Sequence, residues 1–251
     1  MKINDKFSSS NYSIRKEQVN YIILHYTEME FTAALEKLCD SNSEVSCHYL
    51  IKADGEVFRL VADSRKAWHA GRSHWQGIDE LNESSIGIEI DNLGNEDFTQ
   101  QQIAACVELC HMLKNKYNIK SNNIIGHSDI APWRKIDPGI FFPWHILAQQ
   151  GLGIWYDLNL VKKDFVKNKI IHEFADKNDA VKKLQLQLQQ LGYKVEISGE
   201  FDQQTNFVIR SFQSHFNQQI IQDKGLDYYR NDDSLYVWDN ISQTILTNLL
   251  K

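Results

Sequence analysis

Short apolar, β-branched runs interleaved with stretches of helical periodicity do most to narrow what this chain can fold into. Val19-Asn20-Tyr21-Ile22-Ile23-Leu24 reads as a buried strand. Cys47–Ile51 and Val57–Val61 read as two more. The Ala53-Asp54-Gly55-Glu56 joint between them carries Asp-Gly, a strong hairpin signal. Ser85–Ile90 alternates and reads as another strand, and Asn123–His127 is a further short strand. Thr32–Cys39 has helical spacing with Thr32 placed as its N-cap. Thr99–Tyr117 is the clearest helix, with Thr99 as its cap. Residues 1–18 are polar and read as loose or edge structure. The interleaving predicts an α/β fold, a mixed central β-sheet flanked by helices.

Beyond Trp155 the pattern changes. Residues 179–216 hold two amphipathic helices, with Val181, Leu184, Leu188 and Leu191 facing inward on the first. Phe207, Ile209, Phe212 and Phe216 do so on the second, and Gly192 and Gly199 lie in the turn between them. A last helix is expected near 241–250. The reading is a sizeable domain over 1–157, a linker over 158–176, and a small all-α helical bundle over 177–251. A chain of 251 residues has room for one large and one small core.

Charge excludes some partners. Residues 1–160 carry 15 Lys and Arg against 21 Asp and Glu, and residues 161–251 carry 12 against 12. With no basic stripe, nucleic acid is not the expected partner. No apolar run approaches the roughly 20 residues needed to span a bilayer. The N-terminus lacks the apolar core of a signal peptide, so the sequence as it stands reads as cytoplasmic. Four cysteines in a domain this large do not suggest a disulfide scaffold. Cys106 and Cys110 lie four apart on the long helix and read as part of a reduced, buried face. A second metal site there is the lesser reading, because the usual two-residue spacing is absent.

The residues with chemical potential lie at strand ends. His25 follows the first apolar run, His127 ends the Asn-Ile-Ile-Gly-His strand, and Asp137 follows ten residues later. Two histidines and a carboxylate are a catalytic zinc set that leaves one position open. Glu89 sits inside an apolar strand, where a charge is costly without a task or a partner. Lys135 is two residues before Asp137, so in an extended stretch both side chains point the same way. Taken singly, each residue also has a structural reading. A histidine at a strand end is more often structural than a ligand, and Asp before Pro is commonly a turn residue.

Six motifs taken in order go further. Leu24-His25-Tyr26-Thr27, Val45–Ile51, Ala67-Trp68-His69-Ala70-Gly71, Leu81-Asn82 with Ser84–Glu89, Gly126–Pro132 and Arg134–Gly139 together resemble the type 2 N-acetylmuramoyl-L-alanine amidases. That family shares its fold with peptidoglycan recognition proteins. Residues 179–216 are similar to a peptidoglycan-binding domain 1 module. The resemblance implies one Zn²⁺ per chain, held by His25, His127 and Asp137. It implies Glu89 as general base and Lys135 as the group that stabilises the oxyanion. Tyr26, Trp68, His69, Arg72 and Asn82 would line the substrate groove, while His48 would be buried or form a groove wall. The implied reaction cleaves the amide between the muramyl lactyl group and L-alanine, with peptidoglycan or a muropeptide as substrate and the cell envelope or periplasm as location. Cys47 stands where relatives often have Ser or Ala, and no lipobox is visible. The alternative is a non-catalytic recognition protein on the same fold. The presence of all three ligands, Glu89 and Lys135 favours the enzyme.

Overall fold

In the computed structural model, which describes residues 1–161 and 168–251, the chain packs as two compact units. The first comprises residues 1–73, 79–127 and 137–153. The second comprises 74–78, 128–136 and 154–251. The linker expected over 158–176 includes 162–167, which lie outside the described residues. On either side of them are a short helix, Leu158–Val161, and a strand, Ile170–His172.

The first unit is built on a six-stranded sheet. Its strands run in the order Ile3–Asn4, Val57–Arg59, Tyr49–Ile51, Ser85–Ile90, Tyr21–Tyr26, Ile124–Gly126. Every neighbouring pair is parallel except the Tyr49–Ile51/Val57–Arg59 hairpin, so the sheet is mixed. The two central strands explain the apolar runs. Parallel strands are covered on both faces, and Ile22, Ile23, Leu24, Ile86, Ile88 and Ile90 are all at 0 % exposure. Along Ser85–Ile90 only Glu89 departs from full burial. At the hairpin, Gly55 has φ +85°, and a Cβ there would come within 2.9 Å of the Gln101 carbonyl. The Asp54 carboxylate accepts from the Glu56 N–H (3.0 Å) and closes the turn.

Helix Gln100–Tyr117 starts as the sequence implies. Thr99 Oγ1 accepts from the Gln102 N–H and the Gln102 side chain accepts from the Thr99 N–H, a reciprocal capping box. Its buried stripe is Ile103, Cys106, Leu109, Cys110 and Leu113. The two thiols in that stripe are free and buried, as the reduced reading expects. Helix Phe31–Cys39 corrects an expectation. Its N-cap is Glu30, with no side-chain cap bond, and Thr32 lies inside the first turn. The cap therefore falls two residues earlier than expected, and Phe31, the first helical residue, packs on Phe58 with ring centroids 5.3 Å apart.

The second unit is helical with one short ladder. Helices Asp179–Leu191, Gln203–Phe216 and Asn240–Leu249 are capped by the side chains of Asn178, Asp202 and Asp239. Strand Ile170–His172 pairs antiparallel with Trp238–Asp239, so the bundle is not purely α. Val181, Leu184, Leu188 and Leu191 are buried as expected. On the second helix Val208 is buried and Phe207 only half-buried, with the Arg210 guanidinium over its ring. Within this unit the stretch 128–136 is held by the helices. The buried Asp129 carboxylate accepts from Tyr193 Oη (2.7 Å) and pairs with His215 Nδ1 (2.8 Å). Arg210 donates to the Pro132 carbonyl and Tyr229 to the Ile136 carbonyl.

Candidate metal centre

Strand pairing assembles the site in the first unit. His25 is the fifth residue of its strand and stands in register with Glu89 on the neighbouring parallel strand. Gly126 ends the third strand. His127 does not end that strand, as the sequence suggested, but opens a short helical turn, His127–Ile130. That places its ring beside His25, with centroids 4.5 Å apart. Asp137 completes the group. His25 Nδ1 lies 2.9 Å from His127 Nδ1 and 2.9 Å from Asp137 Oδ2, and His127 Nδ1 lies 3.1 Å from the same oxygen. All three residues are buried. The donors one would expect around tetrahedral zinc sit about 3.3 Å apart for bonds of about 2.0–2.1 Å. The observed triangle is within a few tenths of that spacing, and its N, N, O chemistry suits a borderline ion.

The electrostatics agree. Burial alone would raise the Asp137 carboxyl, but the adjacent His127 and His25 rings hold it well below the ordinary carboxylate range. Glu89 Oε1 is 4.0 Å from His25 Nδ1, and its side chain is 14 % exposed. A carboxylate therefore stands next to the three donors without belonging to them.

The remaining expected site residues fall into two sets. Trp68 is half-buried, with its indole N–H donating to Ser13 Oγ (3.2 Å), and Arg72 is exposed. Tyr26 and His69 are each 6 % exposed. The Tyr26 ring packs against Gly94, where a Cβ would come within 2.8 Å of it. His69 lies behind His25, its Nδ1 3.0 Å from His25 Nε2. Burial, reinforced by the His25, His48 and His127 rings, holds its pKa well below the usual histidine value. Asn82 turns its Oδ1 to the backbone N–H groups of His69 and Ala70. Lys135 falls in the second unit, where its backbone N–H bonds to the Ala131 carbonyl. His48 is not among the donors. It is fully buried, accepts the Gly87 N–H at Nδ1, and is pushed down to about 3 by burial and then by Arg15.

Two contributors escaped the sequence reading. The Ala70 carbonyl, 3.3 Å from His127 Nε2, is a backbone group that no side-chain motif announces. Gly87 had a signal, since a lone glycine inside a strand marks a close approach. A Cβ there would overlap the His69 ring.

Two buried histidines and a buried aspartate converging on one point, with a separate carboxylate beside them, form the donor set that metal-dependent hydrolases use. Comparison with known proteins makes this specific. Residues 15–140 match the N-acetylmuramoyl-L-alanine amidase family and residues 177–220 match a putative peptidoglycan binding domain. N-acetylmuramoyl-L-alanine amidase AmiD of Escherichia coli K12 is 37% identical over 215 residues, covering 79% of this chain and 75% of the relative. The 1,6-anhydro-N-acetylmuramyl-L-alanine amidase AmpD of Haemophilus influenzae is 41% identical over 101 residues, covering 40% of this chain and 55% of the relative. Among solved structures, E. coli AmiD in complex with anhydro-N-acetylmuramic acid-L-Ala-D-γ-Glu-L-Lys superposes with TM-score 0.75 at 33% identity, covering 93% of this chain and 89% of that one. AmpDh3 of Pseudomonas aeruginosa in complex with anhydromuramic pentapeptide gives 0.73 at 30%, covering 92% and 91%. The chain belongs to the N-acetylmuramoyl-L-alanine amidase family, which is zinc-dependent in general.

Proposed function

We propose that this protein hydrolyses the amide bond between the lactyl group of N-acetylmuramic acid and the L-alanine of the stem peptide, in the turnover or remodelling of cell-wall peptidoglycan. The observation that carries the reading is the buried convergence of His25, His127 and Asp137 with Glu89 in register beside them. These three residues would hold one zinc ion per chain. When bound, zinc supplies Lewis acidity that polarises the scissile carbonyl and brings the pKa of a water to about 7. Glu89 takes the proton of the attacking water and passes it to the alanine nitrogen as the C–N bond breaks. The products are a muramyl carboxylic acid and a free stem peptide. Lys135, two residues before Asp137 in the chain, offsets negative charge on the carbonyl oxygen. Trp68 and Arg72, half-buried and exposed, are the residues of the expected groove best suited to touch glycan and peptide.

Relatives solved with anhydromuropeptides support a muropeptide substrate for this chain, and the family supports action at the cell envelope. No helix among the described residues is long and apolar enough to cross a membrane. We read residues 1–157 as the catalytic region and 177–251 as a wall-binding module. Such a module raises the local concentration of a polymeric substrate without adding contacts at the reacting bond.

The test is mass spectrometry of muropeptides digested by the full chain, before chelation, after it, and after zinc is restored. We expect free stem peptide and an intact muramyl residue, lost on chelation and recovered with zinc. Shortened peptides still attached to sugar, or activity indifferent to the chelator, would reject the reaction. Absence of any product in the zinc-loaded chain would favour recognition without catalysis.

A further inference from the structure

His25 and His127 both turn Nδ1 toward the donor triangle, so each has Nε2 pointing away from it. Both outward nitrogens end on the same two residues. His25 Nε2 lies 3.0 Å from His69 Nδ1, and His127 Nε2 lies 3.3 Å from the Ala70 carbonyl oxygen. That dipeptide is itself held, because Asn82 Oδ1 accepts the His69 N–H (3.0 Å) and the Ala70 N–H (2.7 Å). His69 Nε2 in turn lies 3.2 Å from Ser85 Oγ, which is 2.6 Å from the Leu81 carbonyl.

One arrangement of protons satisfies this chain and leaves both Nδ1 atoms open to a metal. A carbonyl oxygen only accepts, so the Ser85 hydroxyl donates to Leu81. Its single hydrogen is then used, and Ser85 Oγ accepts from His69, whose proton is on Nε2. With that proton on Nε2, His69 presents Nδ1 to a proton on His25 Nε2, and that tautomer of His25 keeps a lone pair on Nδ1. His127 Nε2 faces a carbonyl and must also donate, which leaves its Nδ1 as a lone pair. Both lone pairs then face Asp137 Oδ2, an arrangement that a cation among the three atoms would hold. The slot for His69 exists because residue 87 is glycine.

We propose that His69 and Ala70, pinned by Asn82, fix both histidine ligands in the tautomer that presents Nδ1 to the metal. His69 and Asn82 are thus positioning residues and not substrate contacts. Partners of this kind set the orientation of a ligating ring, and their loss typically lowers metal affinity about 10–100-fold. The inference rests on the metal reading given above, and the experiment separates the two.

Zinc affinity of the full chain is measured by competition with a chromogenic chelator for wild type, His25→Ala, His69→Phe, Asn82→Leu and Asn82→Asp. The histidine tautomers of the zinc-loaded wild type are read from long-range ¹H–¹⁵N spectra. We expect His25→Ala to abolish tight binding. His69→Phe and Asn82→Leu should weaken it about 10–100-fold. Asn82→Asp, which keeps the accepting oxygen, should stay within a few-fold of wild type. His25 and His127 should both carry their proton on Nε2. Wild-type affinity in His69→Phe and Asn82→Leu, or a His25 protonated on Nδ1, would overturn the inference while leaving the metal reading in place. Wild-type affinity in His25→Ala would remove the metal reading itself. Should His69→Phe fail to fold, the Asn82 pair and the wild-type spectrum still decide.

Discussion

At the scale of single residues, chemistry separates side chains that the sequence presents alike. Glu89 and Asp137 are both carboxylates near His25, but only Asp137 shares an oxygen with both histidines. Glu89→Gln keeps the shape and removes the proton acceptor. We expect it to retain zinc while losing about 10²–10⁴ in kcat, measured by single-turnover release of stem peptide. A loss of zinc instead would make Glu89 a ligand. His48 is held at a folded pKa of about 3 against an unfolded value near 6.5. The unfolded chain therefore binds the extra proton between those values. The contribution of His48 is complete above pH 6.5 and lost as pH falls toward 3, by about 2 kcal/mol at pH 5. Urea unfolding at pH 7 and pH 5 should show His48→Gln less acid-sensitive than wild type by that amount; equal slopes would contradict it.

The donor set was legible at this scale because its residue types are distinctive. The duties of His69 and Asn82 were not. A motif shows which residue recurs near a site, whereas which of its atoms faces which neighbour depends on the stacking of Gly87 beneath His69.

At the scale of elements, periodicity gave the strands and helices, and the ends were settled by side-chain hydrogen bonds. Thr99 and Thr32 look equivalent in sequence, yet only Thr99 makes a capping box. Thr99→Ala should cost about 1 kcal/mol in urea unfolding. Thr32→Ala, inside a turn, should be near neutral; equal losses would mean that the cap geometry is wrong. The strand Ser85–Ile90 was legible, but its burial on both faces was not written in its own pattern. Its position between two parallel strands buries both faces, and local pattern does not record which strands will be neighbours.

At the scale of the molecule, stretches 74–78 and 128–136 group with the C-terminal residues in the second unit. Nothing in the local pattern announces this, because the bonds are distant in sequence: Asp129 joins Tyr193 and His215 across 64 and 86 residues, and the Gln76 N–H donates to the Gly192 carbonyl. Asp129→Ala removes the buried carboxylate that Tyr193 and His215 share and should cost about 3 kcal/mol by urea unfolding. A cost below about 0.5 kcal/mol, the range of ordinary surface changes, would show that the cluster carries little.

The whole scheme turns on where one ion sits. Crystals of the zinc-loaded chain, with data collected at the zinc absorption edge, should show one anomalous peak bonded to His25 Nδ1, His127 Nδ1 and Asp137 Oδ2 at about 2.0–2.2 Å. A peak bonded through Nε2, a peak on other residues, or none among these three side chains would contradict it.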